Sequence, residues 1–220
     1  MNKKKKLKDR LAENNIESGE IKEEFINPKS SILISLAYFL IQCGRPPCFY
    51  FIYIYCADIL KHKCGFTPNQ VINQNFWVSI VDLFGVIVLV YLSYKIHPFK
   101  ILKAKLFLFF ISIISFPLVL TYTTNPIYIF IFQSLAALFV FDHIPAAPIF
   151  YKYFPVLKRF TYTSFISAVA KLLTYFITSF GLVFTTAHFG YWGLFFIFIP
   201  VGIGFLMSVT YFEKLEFQKN

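Results

Sequence analysis

Charged side chains set inside otherwise apolar stretches are the residues of this chain with chemistry to offer. Lys171 stands in a row with Ser164, Ser167, Thr174 and Thr178, spaced by three and four, and Gly181 extends the row. On a helix that spacing makes a small, polar stripe with one ammonium in it. Asn75, Ser79 and Asp82 fall at i, i+4 and i+7 of another stretch. Arg45 sits between Gly44 and the pair Pro46-Pro47, and a further stretch carries Gln133 and then Asp142-His143. Such groups can hold a charged solute, or they can neutralise one another. Asp142-His143 can couple to a proton, since imidazole titrates near neutral pH, or it can serve as a gate or a structural hydrogen bond. The stripe around Lys171 has a plainer reading as tight helix packing through small residues.

The elements that carry these residues are six apolar runs, at about 32–59, 71–94, 102–122, 127–150, 161–184 and 190–212. A bilayer core of about 30 Å needs roughly 20 mostly apolar residues per helix, so each run is long enough to cross. The chain is 57% hydrophobic over 220 residues, with 30 Phe and 14 Tyr. The fold expected is an all-α membrane protein of six transmembrane helices. Its net charge of +10 belongs to tails and links beside apolar spans, which points to membrane orientation and not to nucleic acid.

Residues 1–31 form a charged connector or tail, opening on Lys3-Lys4-Lys5-Lys6, and 213–220 a short tail. With the apolar stretch starting near residue 32, the first helix is expected to act as its own insertion signal. Lys61 and Lys63 lie in the first link; Lys95, Lys100, Lys103 and Lys105 in the second; Lys152, Lys158 and Arg159 in the fourth. The third link (Thr123 to Pro126) and the fifth (Thr186 to His188) hold no basic residue. The positive-inside rule then puts both termini in the cytoplasm. No long loop leaves room for a separate catalytic domain.

An ionised side chain facing lipid at mid-depth costs about 2.5–3.5 kcal/mol on insertion scales, so these groups are expected to face an interior cavity or each other. Asp82 and Lys171, at similar depths, are expected to approach across the bundle. Pro46 and Pro47 each lack a donor and disfavour helix before them, so the first helix should kink or break beside Arg45. Broken helices at membrane depth line cavities and in transporters mark binding sites; a structural role for Arg45 is the alternative. Gln133 and Asp142, nine positions apart, point to nearly opposite faces of an undistorted helix. Cys43, Cys48, Cys56 and Cys64 match no zinc or redox spacing and read as small apolar residues. No metal site, cofactor or nucleophile-plus-base set is expected, and an intramembrane enzyme built on Asp142 and His143 is the least supported class.

Two stretches carry a resemblance. Pro145-Ala146-Ala147-Pro148, followed by Phe154-Pro155-Val156-Leu157-Lys158-Arg159-Phe160-Thr161, resembles the loop between the tenth and eleventh helices of major facilitator superfamily transporters. In particular it looks like the metabolite:proton symporter branch that includes proline/betaine transporters. Pro155, Arg159 and Thr161 match that loop motif; where the branch has an acidic residue two before Phe-Pro, this chain has Lys152. Leu92-Ser93-Tyr94-Lys95-Ile96-His97-Pro98 resembles the superfamily's repeated motif Leu-Ser-Asp-Arg-x-Gly-Arg, with Tyr94, His97 and Pro98 departing from it.

The resemblance covers about 32–215 and corresponds to the second six-helix half of a major facilitator superfamily bundle. It implies a split gene, a truncated product or a subunit, with an N-terminal six-helix half encoded separately as partner. It further implies proton-coupled symport of a small zwitterionic or anionic solute such as proline or betaine across a bacterial inner (plasma) membrane. Arg45, Asn75, Asp82, Gln133, Asp142, His143 and Lys171 are then the candidates for the solute or proton pathway. A self-associating six-helix channel or small transporter is the alternative.

Overall fold

The computed structural model describes residues 32–122, 125–155 and 158–218. The connector at 1–31, Thr123 and Thr124 of the third link, Val156 and Leu157 of the loop motif and the last two residues of the tail lie outside them. Helices account for nearly all of the described residues, and no strand occurs among them. Four helical segments are long and apolar enough to cross a membrane: Ile32–Cys64, Pro68–Ser93, Pro98–Tyr122 and Arg159–Phe217. Pro126–Leu138 is a shorter apolar helix.

The first segment is interrupted. Helix α1 (Ile32–Gln42) stops at Cys43-Gly44, α2 (Arg45–Phe49) restarts with Pro46 and Pro47 in its first turn, a π-helical turn spans Tyr50–Tyr55, and α3 (Cys56–Cys64) completes the run. Two prolines suit a helix start, where the missing N–H groups would have had no intrahelical partner. The helix runs five residues beyond the expected limit, taking Lys61 and Lys63 into its last turn. Helix α4 (Pro68–Ser93) begins with a capping box between Thr67 and Gln70, which satisfies two otherwise orphaned donors.

Helix α5 spans Pro98–Tyr122, which corrects the expected start at 102. Lys103 and Lys105, assigned from sequence to the second link, are helical. Lys105 lies on the row Ile101, Leu102, Lys105, Leu106 and Phe109, all buried, so helical periodicity carries its side chain inward.

The expected continuous helix over 127–150 is likewise corrected. Helix α6 (Pro126–Leu138) ends early, Phe139–His143 is not helical, a 3-10 turn covers Ile144–Ala146, and α7 (Ala147–Tyr151) follows. Pro145 and Pro148 explain the discontinuity, since each lacks a donor and its ring obstructs the preceding turn. Within the gap the Asp142 N–H donates to the Val140 carbonyl at 3.0 Å.

Helix α8 (Arg159–Phe189) and α9 (Phe195–Phe217) are joined by a 3-10 turn. Gly190 sits there at φ +58°, a left-handed value that favours glycine. The segment folds back on itself: a Cβ on Gly181 would lie 3.1 Å from Ile197 Cδ1. The expected fifth link at Thr186–His188 is therefore still helix, and the reversal falls at 189–194.

Helix α1 packs between α8 and α9, α4 packs on α6, and α5 touches both α6 and α9. The two interrupted segments cross at Gly44, where any Cβ would overlap the Phe141 carbonyl and ring. Phe141 is itself held edge-on by Phe109 at 5.0 Å and Phe205 at 5.3 Å. Gly44→Val should lower stability by about 1–3 kcal/mol, the range for overpacking a close contact. Helicity followed during denaturation in mild detergent measures this, and an unchanged midpoint would show that the crossing has slack.

Candidate functional site

The gap in the α6–α7 segment puts consecutive residues into different surroundings. Asp142 is buried and accepts a hydrogen bond from Lys105 Nζ at 3.0 Å, both side chains being at most 6% exposed. His143 lines a separate recess, its Nε2 3.4 Å from the Tyr151 hydroxyl. An irregular backbone permits this divergence, because neighbouring side chains are no longer held to the 100° step of a helix.

The expected approach of Asp82 and Lys171 does not occur. Among the described residues no ion pair joins them, and they line different recesses. The buried carboxylate that meets an ammonium is Asp142, and its partner is Lys105. Sequence reading missed Lys105 because it counted as a link residue. The available signal was its place on the apolar row of α5.

One recess, of about 490 Å³, is lined by Arg45, Tyr53, Ser79, Asp82 and Asp142 among others. It lies between the break in the first segment, α4 and the gap after α6. No hydrogen bond or ion pair joins Arg45 to Asp82 among the described residues, although the cation is close enough to act on the carboxylate electrostatically. Two acids and one guanidinium thus surround the space, with Lys105 neutralising Asp142 from behind.

The other recess, of about 860 Å³, is lined by α1 (Tyr38, Gln42), by His143 and Tyr151, and by α8 from Arg159 to Lys171. The stripe on α8 divides along its length. Ser164, Ser167 and Lys171 line this recess, whereas Thr174 and Thr178 are buried and Gly181 meets Ile197, so the far half is helix packing.

Asn75 and Gln133 take part in neither recess. Gln133 is fully buried; its Nε2 donates to the Ile52 carbonyl at 2.6 Å and to Asn75 Oδ1 at 2.7 Å, and its Oε1 accepts from Gln74 Nε2 at 3.0 Å. Asn75 Nδ2 reaches the Tyr53 carbonyl at 3.5 Å. Ile52 and Tyr53 lie in the π-helical turn, where i→i+5 bonding displaces carbonyls from their usual partners, so the two amides cap an irregularity of the first segment.

At one end of the bundle Glu213 pairs with Lys103, and Glu216 pairs with Lys152 and accepts from the Tyr153 hydroxyl at 2.9 Å. Lys152, which replaces an acid in the resembling motif, thus meets a carboxylate of α9. Arg159 Nε donates to the Phe154 carbonyl at 3.4 Å, bridging the loop; Thr161 is exposed and Pro155 half-buried. At the opposite end Lys63 donates to the Leu120 carbonyl and lies over the Tyr191 ring. Cys43, Cys48 and Cys56 are free thiols, and no group of three or more metal-ligating side chains occurs among the described residues.

Comparison with protein-family models, with curated proteins and with solved structures returns no match.

Removing one partner of a buried ion pair leaves an uncompensated charge, at a cost of about 3–5 kcal/mol, whereas replacing both with apolar groups is often near neutral. Lys105→Met and Asp142→Leu should each destabilise by that amount, and the double variant should recover most of it. A double-mutant cycle of unfolding midpoints measures the coupling; additive losses would mean that the pair contributes no interaction of its own.

Proposed function

We propose that this chain forms one wall of a solute pathway through a membrane, as a six-helix unit of a proton-coupled symporter for a small osmolyte or metabolite. The observation that carries the reading is the pair of polar recesses on either side of the Gly44–Phe141 crossing. Irregular backbone at membrane depth is tolerated where it is buried in protein or lines a water-filled cavity, and discontinuous helices form the binding sites of many secondary transporters. Here both interrupted segments contribute to both recesses.

The resemblance to the metabolite:proton symporter branch supports the same reading, and with it a bacterial inner membrane, a second six-helix unit as partner and a solute such as proline or betaine. Six passes follow if α6 together with α7 crosses once and the α8–α9 hairpin crosses twice. In this reading Arg45 and Asp82 hold opposite ends of a zwitterion, and Asp142, paired with Lys105, holds the wall of that recess in place. Self-association of the chain into a channel is the second reading; the self-sufficient flux it requires separates it from the first.

Topology is tested with single cysteines in a cysteine-free background. Asn125→Cys should react with an impermeant thiol reagent from outside intact cells and His97→Cys only after permeabilisation; the same sidedness for both would reject six passes. For function, purified chain in liposomes should take up betaine or proline under an inward proton gradient when co-reconstituted with a partner half. Asp82→Asn should reduce uptake at least tenfold. Uptake by the chain alone would favour the channel reading, and no uptake of any solute in either format would end the transport proposal.

A further inference from the structure

The recess between α1 and α8 differs in charge from its neighbour. Its lining residues include Arg159 and Lys171 but no carboxylate. Asp142, the nearest acid in sequence, is turned the other way and paired with Lys105. Lys171 makes no hydrogen bond or ion pair among the described residues. Arg159 uses only Nε, toward Phe154, so the two terminal amino groups of its guanidinium are uncommitted among those residues. Twelve positions separate Arg159 from Lys171 on one helix, about 18 Å of rise, so the two cations mark the ends of an elongated space.

A second feature at the site points the same way. Gln42 is 3% exposed and lines this recess, yet its Nε2 makes no hydrogen bond of normal length and angle among the described residues; the Tyr38 hydroxyl is close enough to interact with the amide without satisfying it. A buried amide donor without an acceptor is costly and rare in folded proteins. Tyr38 itself lies 3.4 Å from the Ser167 hydroxyl. An acceptor carrying negative charge would suit this amide and the two cations together.

We propose that this recess binds an oxyanion, a carboxylate or phosphate, held between Lys171 and Arg159 with Gln42, Tyr38 and Ser167 donating to it. The planar guanidinium fork suits two oxygens of such a group, and the flexible ammonium acts as a point charge. The oxyanion belongs either to a small solute or to a lipid headgroup reaching in from the side. The inference rests on the pathway reading only in identifying a solute as its occupant; the site itself does not require transport.

The test uses the full chain in nanodiscs of phosphatidylcholine, titrated calorimetrically with succinate, inorganic phosphate and glycine betaine. In a parallel arm phosphatidylglycerol is included and retained lipid is read by native mass spectrometry. Saturable binding of succinate or phosphate is expected, weakened at least tenfold in Lys171→Gln and Arg159→Gln, retained in Lys171→Arg, and unchanged in Lys214→Gln, which removes a surface charge elsewhere. Helicity and melting of each variant guard against misfolding. Selective retention of phosphatidylglycerol that is lost in the same two variants would support the oxyanion site with lipid as its occupant. No binding of any anion, or binding indifferent to both substitutions, would overturn the proposal. Proton-driven betaine uptake without anion binding would overturn the oxyanion site and leave the transport reading standing, whereas anion binding without uptake of any solute would do the reverse.

Discussion

The rest of the polar architecture depends on the burial of an ammonium and a carboxylate side by side, Lys105 of α5 and Asp142 of the gap after α6. Either ion alone in that position would be destabilising, because desolvating an isolated charge costs several kcal/mol even after relaxation. Together they tie α5 to a stretch of backbone that has no helical hydrogen-bond ladder of its own. The aromatic rings around Phe141 then fill the space about it. Gly44 allows the first segment to approach that stretch closely enough to close the bundle.

The break has a further effect. Asp142 and His143 are adjacent in sequence yet serve different recesses, one holding both Arg45 and Asp82 and one lined by cations without a carboxylate. An intact helix would have carried both residues on the outside of a single cylinder. The interruption instead assigns the two neighbours to two compartments, with the Lys105–Asp142 pair at the wall of one of them. The ends of the bundle are closed by other means, with acids of α9 bound to Lys103 and Lys152 at one end and Lys63 anchored to a carbonyl of α5 at the other.

Much of the helical layout was legible in the residues. Apolar runs of sufficient length and the prolines after Gly44 act locally, through propensity and hydrophobicity, and the described helices follow them. The breakdown of 127–150 is foreshadowed by Pro145 and Pro148, although the run's apolarity by itself suits a continuous helix. The shift of the last reversal from 186–188 to 189–194 turned on Gly190, whose left-handed conformation becomes visible only once the hairpin exists. The candidate site was legible as a set of residue types and not as a set of partners. Asp82 and Lys171 were matched by depth, which ignores azimuth. Asn75 and Gln133 looked like pathway residues because amides in apolar runs are conspicuous, but their acceptors are carbonyls of a π-helical turn that the sequence does not announce.

By itself, then, the sequence determined the class: several greasy helices with polar groups among them and basic residues gathered at their ends, because length and hydropathy are properties of each segment alone. Which charge meets which is a matter of packing, since it depends on how each helix is rotated and where it breaks. Lys105 shows the difference most plainly. As a letter it was one more lysine near a loop; one residue's rotation about α5 makes it the counter-ion on which the core depends.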